Sequence, residues 1–158
     1  MTNTSNSGKI FEIDVLGVYI NYEYLKLSDL NWIFGVITTA FNEVRRQIET
    51  KENMVIHPKS TPLVVDYITT EKSLDAIIGF ITPELALDLA DLGLSLFTIY
   101  EYLKKESMDK RYTGRRNNLK YIVVRIIRRK YKYKDGELVK VDEKIKEKFE
   151  MDIHHMKE

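Results

Sequence analysis

Apolar residues recur along this chain with two different periods. Between Lys9 and Tyr19, Phe11, Ile13 and Val15 alternate with Glu12 and Asp14. Period two with one wet face predicts a strand whose exposed side carries the two carboxylates. After Ser28 or Asp29, either of which is a candidate N-cap, the period changes. Leu30, Ile33, Phe34, Ile37, Phe41, Val44 and Ile48 follow at spacings of three and four, an amphipathic helix ending near Thr50. Two further alternating runs, Pro62 to Thr69 and Ser73 to Ile81, are joined by Thr70-Glu71-Lys72. So short a link between two strand patterns predicts an antiparallel hairpin.

Thr82-Pro83 opens a second helix, because threonine caps and proline at the first helical position gives up no needed N–H. Its pattern continues to about Lys105 and is apolar on nearly every side. Such a helix is either buried or in a subunit interface, with Leu92, Leu96 and Ile99 as the candidate self-contacts. Gly93 in its middle costs about 1 kcal/mol relative to alanine, which suggests a close approach of another element.

Beyond Arg115 two signals conflict. Leu119, Ile122, Val123, Ile126, Ile127 and Tyr131 keep helical spacing, whereas the β-branched content of 122–127 favours a strand. The spacing tips the expectation to helix for Arg116 to Arg129. Asp135-Gly136 between two short apolar runs predicts a type I′ hairpin turn, and Asp142 to Phe149 reads as a short charged helix.

Together these elements predict an α+β protein. Its small antiparallel sheet has the order β-α-β-β-α with helices packed on one face, followed by a basic helix/hairpin extension. The expected organisation is a flexible tail over residues 1–8, the α+β core over 9–105, the extension over 106–150 packed on the core, and a second tail over 151–158.

Charge changes this picture most. The net charge is +1, but it is not evenly spread. Met1 to Leu103 carries seven basic and fourteen acidic residues, a balance of −7. Lys104 to Lys134 carries thirteen basic and two acidic residues, a balance of +11, and the remainder carries −3. Tyrosines 112, 121, 131 and 133 are interleaved with the cations.

Composition narrows the chemistry. With no cysteine, disulfides, thiolate zinc sites and a cysteine nucleophile are excluded. The seven glycines form neither a P-loop nor a dinucleotide fingerprint. Asp152, His154 and His155 are the best local metal candidates, but adjacent histidines ligate one ion poorly, so no metal is expected. His57 in a loop, and the pairs Asp88/Asp91 and Glu12/Asp14, read as solvated groups rather than acid–base machinery. No catalytic residues, cofactor or small-molecule ligand are predicted. Met1 to Gly8 lacks the charge and apolar core of a secretory signal, and Leu85 to Leu103 holds three carboxylates, so the expectation is a cytoplasmic protein without a membrane span.

The expected function is therefore non-enzymatic binding through the basic segment. Lysines and arginines neutralise phosphates and tyrosines stack on bases, which points to nucleic acid bound with little base specificity. The contact set is Arg115, Arg116, Lys120, Arg125, Arg128, Arg129, Lys130, Tyr131, Lys132 and Tyr133. The alternative is a protein-binding inhibitor or adaptor, as from a mobile element or virus, that docks on an acidic or nucleic-acid-binding partner or self-associates as a homodimer. The acidic body of the chain itself is a competitor for the same cations.

Overall fold

The computed structural model describes residues 8–57, 60–109, 116–151 and 153. They form β1 (Phe11–Tyr22), α1 (Leu27–Glu52), β2 (Leu63–Thr69), β3 (Ser73–Gly79), α2 (Pro83–Asp91), α3 (Leu96–Asp109), β4 (Leu119–Lys134) and β5 (Glu137–Met151). The five strands make one antiparallel sheet in the order β2-β3-β1-β4-β5. The α+β class and the antiparallel sheet agree with the sequence pattern. The order of elements differs in the second half of the chain.

Alternation along the central strands places the core. Leu16, Val18 and Ile20 of β1 lie beside Ile126, Val124 and Ile122 of β4 on one side and Ile78, Ala76 and Leu74 of β3 on the other. All nine are buried. They share one cluster with Ile33, Ile37, Phe41 and Val44 of α1 and Leu96, Ile99 and Leu103 of α3, except Ala76. This face of the sheet is therefore the helix-covered one, and the buried aliphatic side chains contribute about 1.5–3 kcal/mol each on transfer from water.

Local chemistry explains the ends of the helices. Lys26 precedes α1, and its N–H donates to the Asp29 carboxylate at 2.9 Å, so Asp29 acts from inside the first turn rather than as the cap itself. Thr82 caps α2 as expected, its Oγ1 accepting from the Leu85 N–H at 3.1 Å. The helix does not continue to Lys105, however. Gly93 adopts φ +90, the Gly93 N–H donates to the Ala90 carbonyl, and the Leu94 N–H donates to the Leu89 carbonyl. That pattern is a Schellman stop, which glycine accepts without a Cβ penalty. A Cβ at Gly93 would meet open space, so its role is conformational rather than a close approach. Ser95 then opens α3, its Oγ accepting from the Thr98 N–H.

The segment expected to be helical over Arg116 to Arg129 is β4. Its helix-like spacing arises because both faces of a central strand are apolar, which fills positions 122, 123, 126 and 127 at once. β5 replaces the expected helix over Asp142 to Phe149, templated by thirteen paired positions on β4. Asp135 (φ 52) and Gly136 (φ 83) join them in the predicted two-residue turn. The basic segment is thus no extension packed on a finished core: β4 is an inner strand, paired on both sides. β1 also turns its faces the other way from the expectation. Asp14 lies on the face of Leu16, while Ile13 and Val15 alternate onto the opposite face; both are buried, and Ile13 joins the core cluster at the end of the strand, where it lines a pocket with Phe80 and Ala86.

Candidate functional site

Each predicted cation has a definite place. Along β4, Arg125, Arg129 and Tyr133 alternate onto the face opposite the helix-covered core, as does Tyr131, which is nonetheless buried in the core cluster; Arg128, Lys130 and Lys132 share the side of Ile122, Val124 and Ile126, and Lys120 sits at the bulge between Leu119 and Tyr121. One contiguous block in sequence is therefore divided between two faces. Arg115 lies outside the described residues, as do Tyr112, Asp152, His154 and His155.

The described arginines of the set are engaged by carboxylates, those of Arg116, Arg125 and Arg128 in the acidic body and that of Arg129 on β5. Arg116, just before β4, donates to Asp29 at 2.8 Å and sits over the Trp32 ring at 4.5 Å from its centroid. Arg125 pairs with Asp75 of β3, reaching over the intervening strand β1. Arg128 grips Asp14 with two hydrogen bonds, 2.9 and 3.2 Å, and meets Glu12 at 3.2 Å. Arg129 donates to Glu143 of β5 at 3.1 Å, and Lys140 donates to the same oxygen at 2.9 Å. Hydrogen bonding to Asp14 raises the Arg128 pKa further, against the effect of burial. The hydrogen bond from Lys140 lowers that of Glu143, which partial burial opposes. For Arg125, Arg128 and Arg129 the charge segregation of the sequence is thus offset by strand pairing, because the register sets β4 between strands that carry acids.

Asp29 is the most enclosed of these acids, 1% exposed. Burial pushes its pKa up, but the Lys26 N–H, the Asn118 amide at 2.6 Å and Arg116 together outweigh that and hold it below its ordinary 3.8. These three partners tie the start of α1 to the entry of β4. Nothing in the local sequence around Asp29 announces them; a lone aspartate in a first helical turn signals only a favourable helix end.

The helix-free face is not a polar one. Val15 and Ile127 are buried in it, Tyr19 and Tyr121 lie ring to ring at 6.0 Å, and Tyr133 meets Phe11 edge-on at 5.5 Å. Burial beside Tyr19 raises the Tyr121 phenol pKa. Between the edge strands this face forms a trough of about 410 Å³. Ile68 of β2, Ile77 of β3, Ile127 of β4 and Ile145 of β5 supply its apolar lining. Its charged rim holds Arg125, Arg129, Lys140 and Lys144 against Asp66, Asp75 and Glu143. Ile68 and Ile145 are 66% and 55% exposed, so two of the four isoleucines stand in water.

The sequence-predicted self-contacts do not assemble at the surface. Leu96 and Ile99 are 1% and 0% exposed, packed in the core of the single chain, and Leu92 alone is partly exposed in the turn between α2 and α3. Tyr131 is buried as well, which removes it from any stacking surface. Among the described residues no helix is long and apolar enough to cross a membrane, and no cluster of three or more His, Asp or Glu side chains is placed to hold a metal ion. Compared with known proteins, the chain matches no family model, no curated protein and no solved structure.

Proposed function

We propose that this chain is a protein-binding module, without a catalytic step, whose helix-free sheet face receives an acidic, apolar segment of a partner. The observation that carries the reading is the trough lined by Ile68, Ile77, Ile127 and Ile145 between Arg125 and Arg129. An antiparallel sheet with one face on the core ordinarily turns a polar face to water. This one turns isoleucine, tyrosine and arginine outward. Aromatic residues and arginine are enriched at protein interfaces, where lysine and glutamate are depleted. Four cations against three carboxylates around the trough favour an acidic partner over a basic one. Polyanion binding is less well supported, because cations already neutralised by carboxylates release few counterions.

The test is a methyl-NMR titration with an amphipathic Leu/Glu peptide and its Leu/Lys counterpart. The acidic peptide is expected to shift the methyls of Ile68, Ile77, Ile127 and Ile145, and Ile145→Asp to abolish the shifts. Equal response to both peptides, or none, overturns the reading.

One observation favours nucleic acid as a second reading. β4 and β5 extend past the Phe11 end of β1; Lys132 and Lys134 on this arm, and Lys130 beside it opposite Glu12, take part in none of the ion pairs formed among the described residues. A mobility-shift titration at low salt, repeated with the three lysines changed to glutamate, separates the two. No shift of DNA or RNA by the wild-type chain removes nucleic acid.

A further inference from the structure

The two edges of the sheet are treated very differently by the sequence. β5, at one edge, is ELVKVDEKIKEKFEM, with nine charged residues among fifteen. Charges along a free edge discourage other strands from pairing with it. β2, at the other edge, is LVVDYIT and is exposed at all seven positions. Leu63, Val64, Val65, Tyr67 and Ile68 are between 40% and 66% exposed, and Asp66 is the strand's single charge. Among the described residues no helix packs closely over β2, whose substantial contacts are with β3. Such a strand is a template for further pairing.

We infer that β2 pairs antiparallel with β2 of a second copy, about a twofold axis, to make one continuous sheet. The pairing concerns the free backbone edge of β2 rather than the trough; Asp66, Tyr67 and Ile68 line both, and sedimentation and cross-linking read the edge without any peptide ligand. Charge selects the occupant. A strip whose single charge is Asp66 can pair with itself without opposing like charges, whereas pairing β2 with β5 of a second copy would set it against a strand with nine charged residues and would also propagate without closing.

Asp66 and the local geometry select the register. Centring the pair on Asp66 would oppose two like charges directly, which is destabilising. Centring it toward Leu63 would run the ladder across the irregularity between Val64 and Asp66. The remaining choice centres on Tyr67, with Val65 opposite the partner's Thr69 and Asp66 opposite the partner's Ile68. The Tyr67 N–H supports it: that donor is turned to the Asp66 carboxylate at 2.8 Å, a stand-in acceptor that the partner's carbonyl would replace.

The chain has no cysteine, so a single introduced one reads the register directly. Residues directly opposite in an antiparallel pair have Cα atoms about 4.5–5.5 Å apart, within disulfide reach. Full-length wild-type protein is expected to sediment at twice its 18.6 kDa monomer mass. Tyr67→Cys is expected to cross-link to a covalent dimer under mild oxidation, while Asp66→Cys cross-links far less. Ile68→Lys, with an unchanged circular dichroism spectrum, is expected to raise the dimer dissociation constant by roughly tenfold or more. A monomeric wild type overturns the inference. So does a dimer that survives Ile68→Lys and leaves Tyr67→Cys unlinked.

Discussion

Arg125 reaches Asp75 by lying across Gly17. A Cβ at position 17 would stand 2.5 Å from the Arg125 Nη2 and 2.9 Å from its Cζ. Glycine on β1 is therefore the passage through which β4 is tied to β3. Gly17→Ala is expected to displace the guanidinium and leave Asp75 unpaired, lowering stability by roughly 1–2 kcal/mol. The effect should disappear when Arg125 is already methionine. A double-mutant cycle by urea denaturation reads this coupling, and additive effects of the two changes would show that the space at Gly17 does not serve Arg125.

Asp29 makes stability depend on pH in a defined direction. Its folded pKa is below the ordinary 3.8, so its contribution is complete above that value and is lost as pH falls through the folded value. Asp29→Asn leaves Arg116 without its carboxylate and is expected to cost roughly 2–4 kcal/mol at neutral pH. The gap between variant and wild type should narrow on acidification, as urea midpoints measured from neutral to acid pH would show. Glu143 shifts in the same sense but is far more exposed, so solvent screening leaves it a minor share.

Leu96 belongs to the core, and truncating it should be felt by the monomer. Leu96→Ala is expected to lower unfolding free energy by roughly 2–5 kcal/mol, and Leu92→Ala by less than about 1 kcal/mol. Neither should change the association state. Sedimentation at matched concentrations, beside denaturant melts, distinguishes these effects from loss of an interface.

The β4–β5 turn depends on left-handed backbone at two successive residues. Gly136 at φ 83 has open space where a Cβ would go, so the cost of Gly136→Ala is conformational. It is expected to destabilise by roughly 1–2 kcal/mol. Asp135→Asn, which tolerates φ 52 equally well, should be close to neutral. Thermal melts of the two variants check the contrast.

Features encoded within a few neighbouring residues were legible from the sequence. The α1 periodicity, the Thr82-Pro83 start, the β2–β3 hairpin and the Asp135-Gly136 turn each rest on local chemistry and appear in place. β4 was misleading because a strand apolar on both faces mimics helical spacing. β5 was misleading because an edge strand held by its neighbour needs no alternation of its own. The candidate site was legible in composition but not in arrangement. Which acid meets which arginine depends on register between residues 50, 87 or 114 positions apart, and no local pattern carries that information.

The pairing of β1 with β4 also sets a timetable for synthesis. Asp14 and Arg128, partners across that ladder, are 114 positions apart. β3 can close one edge of β1 soon after it is made, but the other edge has no native partner until β4 leaves the ribosome. At ordinary elongation rates that interval is on the order of ten seconds. For that time the nascent chain carries Leu16, Val18 and Ile20 on a strand with one open side. A chaperone that shields a half-paired strand during this window should raise the yield of folded protein more than one acting after release.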